Sequence, residues 1–274
     1  MRHRLLSFFV LWATVLAVLW FFRAAGALVL ITLLSALTLR EFYALLRAAG
    51  HHPLAGPGVV LGALITAAPW IDPVWTFASY LLPFGVVAAT FLALLEPAET
   101  RVDALGATVF GLAFVPAMLA FIVKIVRPFP GDFVPADGRL LLGLWLVAVV
   151  KFCDVGALLT GMAIGRHKLA PVISPKKTWE GAVGGVLTSA GLGALLAWLG
   201  RDNFPPHFTP VFAAIAAVPL AIVGIVSDLI ESVIKRRAGW KDSGSTFPGI
   251  GGVFDLTDSL VLTAPLGYLL FGLN

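Results

Sequence analysis

Apolar runs that approach bilayer length follow one another from residue 5 to residue 270. A spanning helix needs about 20 mostly apolar residues. The runs that approach this length are Leu5–Phe22, Ala24–Leu39, Gly58–Ile71, Val74–Leu95, Ala104–Val126, Leu140–Met162, Gly181–Leu199, Val211–Ile230 and Leu256–Leu270. The third is short enough to be re-entrant. Prolines such as Pro53, Pro73, Pro97, Pro128 and Pro205 fall in the connections, where helix breakers belong. Of the 274 residues, 59% are hydrophobic and 12% are charged. A soluble domain carries about twice that charged share, so lipid must be the solvent of this chain. The expected fold is all-α: a polytopic integral membrane protein with about nine transmembrane helices. No polar stretch is long enough for a separate soluble domain, so residues 1–274 read as a single membrane domain.

Arg2 and Arg4 before an apolar run, with Ala25-Gly26-Ala27 after it, imitate a signal peptide. The run is longer than the apolar part of such a peptide and a second run follows at once, so it reads as a retained first helix. With the N-terminus inside and nine spans, Arg2, Arg4, Arg40, Arg47, Arg101, Arg166, Lys168, Lys176, Lys177, Lys235, Arg236, Arg237 and Lys241 face the cytoplasm. Arg23, Lys124, Arg127, Arg139 and Arg201 face the other side, and Lys151 lies within a span. This places the polar motifs on the cytoplasmic side, within reach of a nucleotide; the expected location is a bacterial inner (plasma) membrane. The lone cysteine, Cys153, excludes an internal disulfide or a cysteine zinc site. The histidines lack the spacing of a zinc motif. The net charge of +4 suits anionic lipid or phosphate, and no nucleic-acid partner is expected.

Three stretches break the apolar pattern. Lys151 and Asp154 lie three apart in the sixth run, on one helix face. Ionisable groups within a span are costly unless paired, so they form a structural ion pair or border a site. The second stretch is Gly165-Arg166-His167-Lys168, followed by Ser174-Pro175-Lys176-Lys177-Thr178-Trp179-Glu180-Gly181. Ser174 or Thr178 is suited to cap the next helix, and amides at a helix start beside Lys176 and Lys177 would hold an anion. In the third, Asp228, Glu231, Ser232 and Lys235 recur at helical spacing on one face. Arg236, Lys241-Asp242-Ser243-Gly244 and Pro248-Gly249-Ile250-Gly251-Gly252 follow, and the last helix opens with Asp255, Asp258 and Ser259. Glycines let backbone approach a phosphate closely. Carboxylates from two helices can hold a divalent ion that also binds substrate phosphates.

These motifs resemble those of the phosphatidate cytidylyltransferase (CDP-diacylglycerol synthase) family. Ser232, Lys235, Arg236, Lys241, Asp242, Gly244, Phe247, Pro248, Gly251, Gly252, Asp255 and Asp258 stand at the spacing of the family's C-terminal signature. Ser174 to Gly181 is similar to its upstream motif, and Asp154-Val155-Gly156-Ala157 is a looser match. The resemblance covers residues 151–274, read as the catalytic part; residues 1–150 match in hydropathy alone. Ile250 replaces the family's histidine and Leu256 its arginine.

The resemblance implies transfer of a cytidylyl group from CTP to phosphatidate, giving CDP-diacylglycerol and pyrophosphate for phospholipid synthesis. It implies Asp228 and Asp255 as ligands of Mg²⁺, with a second cation allowed, and Asp258 as an alternate ligand. Lys235 and Lys241 join these three aspartates as the implied catalytic set. Lys176, Lys177, Ser174, Thr178, Glu231, Ser232, Arg236, Gly251, Gly252 and Ser259 are the implied substrate-binding set. Homodimerisation is a family-level expectation. Alternatives are a CTP-dependent transferase acting on another lipid, which Ile250 and Leu256 keep open, and a membrane transporter built around Lys151 and Asp154.

Overall fold

Helix dominates the secondary structure because only helices and closed barrels satisfy every backbone group in lipid. The computed structural model describes residues 2–71, 76–128, 134, 136–246 and 251–273. The helices are α1 (Arg2–Ala48), α2 (Ala55–Ile71), α3 (Thr76–Ala93), α4 (Arg101–Phe114), α5 (Pro116–Val126), α6 (Ala136–Ile164), α7 (Trp179–Leu199), α8 (Pro210–Arg237) and α9 (Phe254–Leu270). A hairpin of β1 (Lys168–Ala170) and β2 (Ser174–Thr178) stands between α6 and α7. Among the described residues, five segments are long and apolar enough to cross a membrane: Ala13–Ala48, Arg101–Val126, Asp137–Ile164, Trp179–Leu199 and Pro210–Arg237.

The apolar runs Leu5–Phe22 and Ala24–Leu39 both fall within α1. α1 has 47 residues, about twice what a bilayer needs. Its helical geometry breaks at Arg23, whose φ of 49° and ψ of −131° lie outside the helical region. The break falls where the sequence separates Leu5–Phe22 from Ala24–Leu39. The expected fifth span is likewise two helices, α4 and α5, parted at Val115. Pro116, next in sequence, has no amide to continue the hydrogen-bond ladder.

The chain divides into two compact units, Met1–Lys124 with Ile234–Thr257, and Ile125–Val233 with Asp258–Asn274. The borders fall inside α5, α8 and α9. In the first unit, the rings of Phe42, Phe110, Phe114 and Phe254 meet at centroid distances of 5.6 Å. Tyr43 donates a 2.9 Å hydrogen bond to the Thr108 carbonyl. A Cβ at Gly111 would lie 2.3 Å from the Tyr43 ring, so a glycine is needed there. Two hydroxyl pairs, Ser35–Thr66 at 2.7 Å and Thr38–Thr257 at 2.8 Å, tie α1 to α2 and to the first turn of α9.

The second unit is built on the crossing of α6 and α7. A Cβ at Gly185 would lie 2.6 Å from the Cys153 carbonyl, and one at Gly181 2.7 Å from the Ala157 carbonyl. Small residues allow this approach, as is usual between helices in lipid. Trp145 Nε1 donates to the Gly193 carbonyl at 2.9 Å, and Ser189 Oγ to the Val149 carbonyl at 2.8 Å. Leu158, Met162, Val183 and Leu187 are exposed on the outer faces of the pair, as lipid-facing side chains are.

Candidate active site

Three carboxylates come together in the second unit. Asp228 and Glu231 stand one turn apart on α8, and Asp258 stands in the first turns of α9. One oxygen of each lies within 4.8 Å of the others. Glu231 and Asp258 are buried. Two lysines compensate them. Lys177, from β2, places Nζ 2.5 Å from Asp228 Oδ2. Lys151, from α6, donates to Ser259 Oγ at 2.7 Å and to Asp258 Oδ1 at 3.2 Å, with Asp154 Oδ2 at 3.8 Å. The Ser259 amide donates to Asp258 Oδ1 at 2.5 Å, and Ser227 Oγ donates to the Asp258 carbonyl. Ser232 Oγ reaches Asp228 Oδ1 at 3.5 Å.

Carboxylates gathered between membrane helices are costly unless cations compensate them. The donors are all oxygens, the set a hard divalent ion takes. The residues present therefore fit a metal ion, with Asp228, Glu231 and Asp258 as its candidate ligands.

The end of α6, the start of α7, the hairpin and α8 line an open cleft of about 630 Å³. Asp154, Lys168, Lys176, Lys177, Thr178 and Asp228 supply its polar lining. Leu158, Met162, Leu169, Ala182 and Ile225 supply its apolar lining. Leu158 and Met162 also belong to the exposed face of α6, so one cleft is bordered by both charge and a lipid-facing wall.

The hairpin that carries Lys176 and Lys177 was not expected from the sequence. Lys168 pairs with Thr178 and Ala170 with Ser174. Of the two candidate caps, Thr178 is the one in use: its Oγ1 accepts from the Gly181 amide at 3.1 Å, with extended backbone angles. Ser174 instead opens β2. Glu180 fastens the same open end of the hairpin, accepting from the Arg166 amide at 3.1 Å and meeting His167 Nδ1 at 2.6 Å.

The first unit holds the remaining motif residues. Asp255 Oδ1 accepts from Lys235 Nζ at 2.8 Å. Its Oδ2 accepts from the amides of Gly252 at 2.7 Å and Ser243 at 3.0 Å, and lies 3.0 Å from Ser243 Oγ. Gly251 has a φ of 125°, and a Cβ there would lie 2.5 Å from Asp255 Oδ2. Arg236 donates to the Trp240 carbonyl at 3.3 Å; Lys241 and Asp242 are exposed. Phe247, Pro248 and Ile250 lie outside the described residues.

Sequence reasoning missed Glu41. Its carboxylate accepts from Ser243 Oγ at 3.0 Å, Thr246 Oγ1 at 2.6 Å and the Phe254 amide at 2.9 Å. The available signal was a lone acidic residue at the end of an apolar run, on the side expected to face the cytoplasm with the motifs.

Residues 2–273 match the cytidylyltransferase family. The phosphatidate cytidylyltransferase of Synechocystis sp. is 33% identical over 269 residues, which cover 91% of this chain and 87% of the relative. The phosphatidate cytidylyltransferase of Rickettsia bellii is 27% identical over 222 residues, covering 78% and 87%. That of Brucella suis is 43% identical over 130 residues, covering 46% and 45%.

Proposed function

The chain belongs to the cytidylyltransferase family, and from that premise we propose that it transfers the cytidylyl group of CTP to phosphatidate, giving CDP-diacylglycerol and pyrophosphate. The observation that carries the choice of a lipid acceptor is the cleft of the second unit. A phosphate head group suits its lysine-lined end, and acyl chains suit the Leu158 and Met162 wall that faces lipid. A volume of about 630 Å³ lies within the usual range for ligand pockets.

In the reaction an oxygen of the lipid phosphate attacks the α-phosphorus of CTP. The new P–O bond forms as the bond to the β-phosphate breaks, and pyrophosphate leaves with that electron pair. A phosphomonoester has a second pKa of about 6, so the attacking oxygen is already anionic and no strong base is required. The difficulty is to bring two polyanions together, and charge neutralisation with positioning meets it. Lys168, Lys176 and Lys177 hold the lipid phosphate at the cleft. Lys235, Arg236 and Lys241, with the Gly251 and Gly252 backbone, hold the triphosphate. Ser174, Thr178, Ser232 and Ser259 orient these groups. A bound Mg²⁺ supplies charge neutralisation at the phosphates. Asp228, Glu231 and Asp258 would hold it; Asp255 is a ligand only as the resemblance implies.

The same reading takes the chain as one membrane domain with nine crossings, α1 supplying two. Its polar motifs face the cytoplasm from a bacterial inner membrane, and it works as a homodimer. The test is conversion of phosphatidate by purified protein with labelled nucleotide. Product is expected with CTP and Mg²⁺ and not with the other nucleoside triphosphates or after chelation. Product from an isoprenoid alcohol but not from phosphatidate would replace the acceptor; ion or lipid flux without CTP and no product would overturn the reading.

A further inference from the structure

We infer that Glu41, on α1 and outside every motif of the C-terminal half, is a positioning residue that sets Ser243, Gly252 and Asp255 for the nucleotide. The inference rests on the proposed reaction, because it takes these groups as part of the triphosphate-binding machinery. Its basis is that one carboxylate gathers three donors from separate points of a distant segment. Ser243, Thr246 and Phe254 lie 202, 205 and 213 residues away in sequence. The Phe254 amide is one of the N-terminal amides of α9, which the helix itself leaves unsatisfied. Glu41 accepts from it at 2.9 Å and places negative charge at the positive end of the helix. Glu41 thus caps from another helix the turn that presents Asp255.

Ser243 transmits the constraint. Its Oγ lies 3.0 Å from Glu41 Oε2 and 3.0 Å from Asp255 Oδ2, and accepts from the Asp255 amide at 3.2 Å. A hydroxyl has one proton, so the two carboxylates share a single donor, and moving one moves the other. The surrounding glycines make room for this contact. A Cβ at Gly252 would lie 2.2 Å from Glu41 Oε2 and 2.2 Å from Ser243 Oγ, and one at Gly244 would lie 2.7 Å from Glu41 Oε1. Two glycines of the motif are therefore fitted to a residue of the N-terminal half.

Glu41→Gln keeps the size of the side chain but removes its charge, so the bond from the Phe254 amide loses its charge assistance whichever way the new amide turns. A displacement of reacting groups by about 1 Å can cost about 100-fold in rate. The expected result is a fall of about 100-fold in kcat/KM for CTP, with KM for phosphatidate within about twofold of wild type. Ser243→Ala added to Glu41→Gln should lower it by less than Ser243→Ala does alone, because the two act through one hydroxyl. A rate that falls only with the amount of folded protein, both KM values unchanged, would make Glu41 merely structural and overturn the inference. Hydrogen exchange at the Phe254 amide gives a reading independent of turnover. It should be faster by about tenfold or more in Glu41→Gln, in line with loss of a charge-assisted bond, and unchanged exchange would overturn the inference. If wild type makes no CDP-lipid, the proposed reaction fails, while the exchange measurement still decides whether Glu41 holds this turn.

Discussion

Replacing Lys151 by methionine separates the roles of the buried charges, because it keeps the length of the side chain and removes its charge. The ammonium lies 3.2 Å from Asp258 Oδ1 and 3.8 Å from Asp154 Oδ2. At an effective dielectric of about 20, each contact is worth on the order of 4–5 kcal/mol before desolvation. Removing one partner of a buried pair leaves a net loss of about 3–5 kcal/mol. A quarter of the Lys151 side chain is exposed (25%), so a loss near about 3 kcal/mol is expected in the absence of divalent cation.

The same substitution should strengthen Mg²⁺ binding. A cation on Asp258 Oδ1 would be no further from the ammonium than the 3.2 Å contact plus a bond of about 2.1 Å, or about 5.3 Å. Even at the dielectric of water, the repulsion between them is about 1.6 kcal/mol, slightly more than tenfold in affinity. Thermal unfolding in detergent, followed by tryptophan fluorescence over a Mg²⁺ titration, reads both effects. Lys151→Met is expected to melt below wild type without Mg²⁺ and to reach half-saturation at a Mg²⁺ concentration lower by about tenfold or more. Asp258→Asn should lose most of the Mg²⁺ response. Equal or weaker Mg²⁺ binding by Lys151→Met would refute the reasoning, since the lysine and the cation would then not compete for Asp258.

Asp255→Ala should abolish CTP-dependent product formation while the protein remains in the membrane; full activity would remove Asp255 from the machinery. Thr178→Val keeps the side-chain shape and deletes the cap on the Gly181 amide. It should cost about 1 kcal/mol, measured as a lowered unfolding midpoint, and an unchanged midpoint would discount the cap. Gly185→Val puts a Cβ where the Cys153 carbonyl lies 2.6 Å away, an overpacking worth about 1–3 kcal/mol. Wild-type melting of that variant would mean that α6 and α7 cross more loosely than their glycines imply.

Features set by local spacing were legible in the sequence. Lys151 and Asp154, three apart, do meet at 3.8 Å, and Asp228 and Ser232, four apart, meet at 3.5 Å. The break at Arg23 falls between two apolar runs, and Thr178 was one of two named caps. The hairpin was not legible, because Ser174-Pro175-Lys176-Lys177-Thr178 has no alternation of apolar residues to mark a strand. Its open end is held by Glu180, which reaches back to Arg166 and His167. The ion pairs across 107 residues, from Lys151 to Asp258, and 51 residues, from Lys177 to Asp228, have no periodic signal either. They exist because each buried charge must find a partner, and only the packing of the helices decides which one.

Glycine shows how one motif can answer to two requirements. Gly251 and Gly252 read in the sequence as backbone stripped to approach a phosphate. In the structure their missing side chains answer to protein atoms first: Asp255 Oδ2 occupies the space beside Gly251, and Glu41 and Ser243 the space beside Gly252. The Gly252 amide donates to Asp255 at 2.7 Å, so the turn is organised by carboxylates of the chain itself. This ties the motif to α1 and gives the N-terminal half a constraint that its hydropathy does not express. A polar residue at position 41 is tolerable at the end of an apolar helix for many reasons, but one that accepts from Ser243, Thr246 and Phe254 together must be acidic and of glutamate's length. That requirement is why loss of the Glu41 charge should register in CTP kinetics, through groups that stand more than 200 residues away.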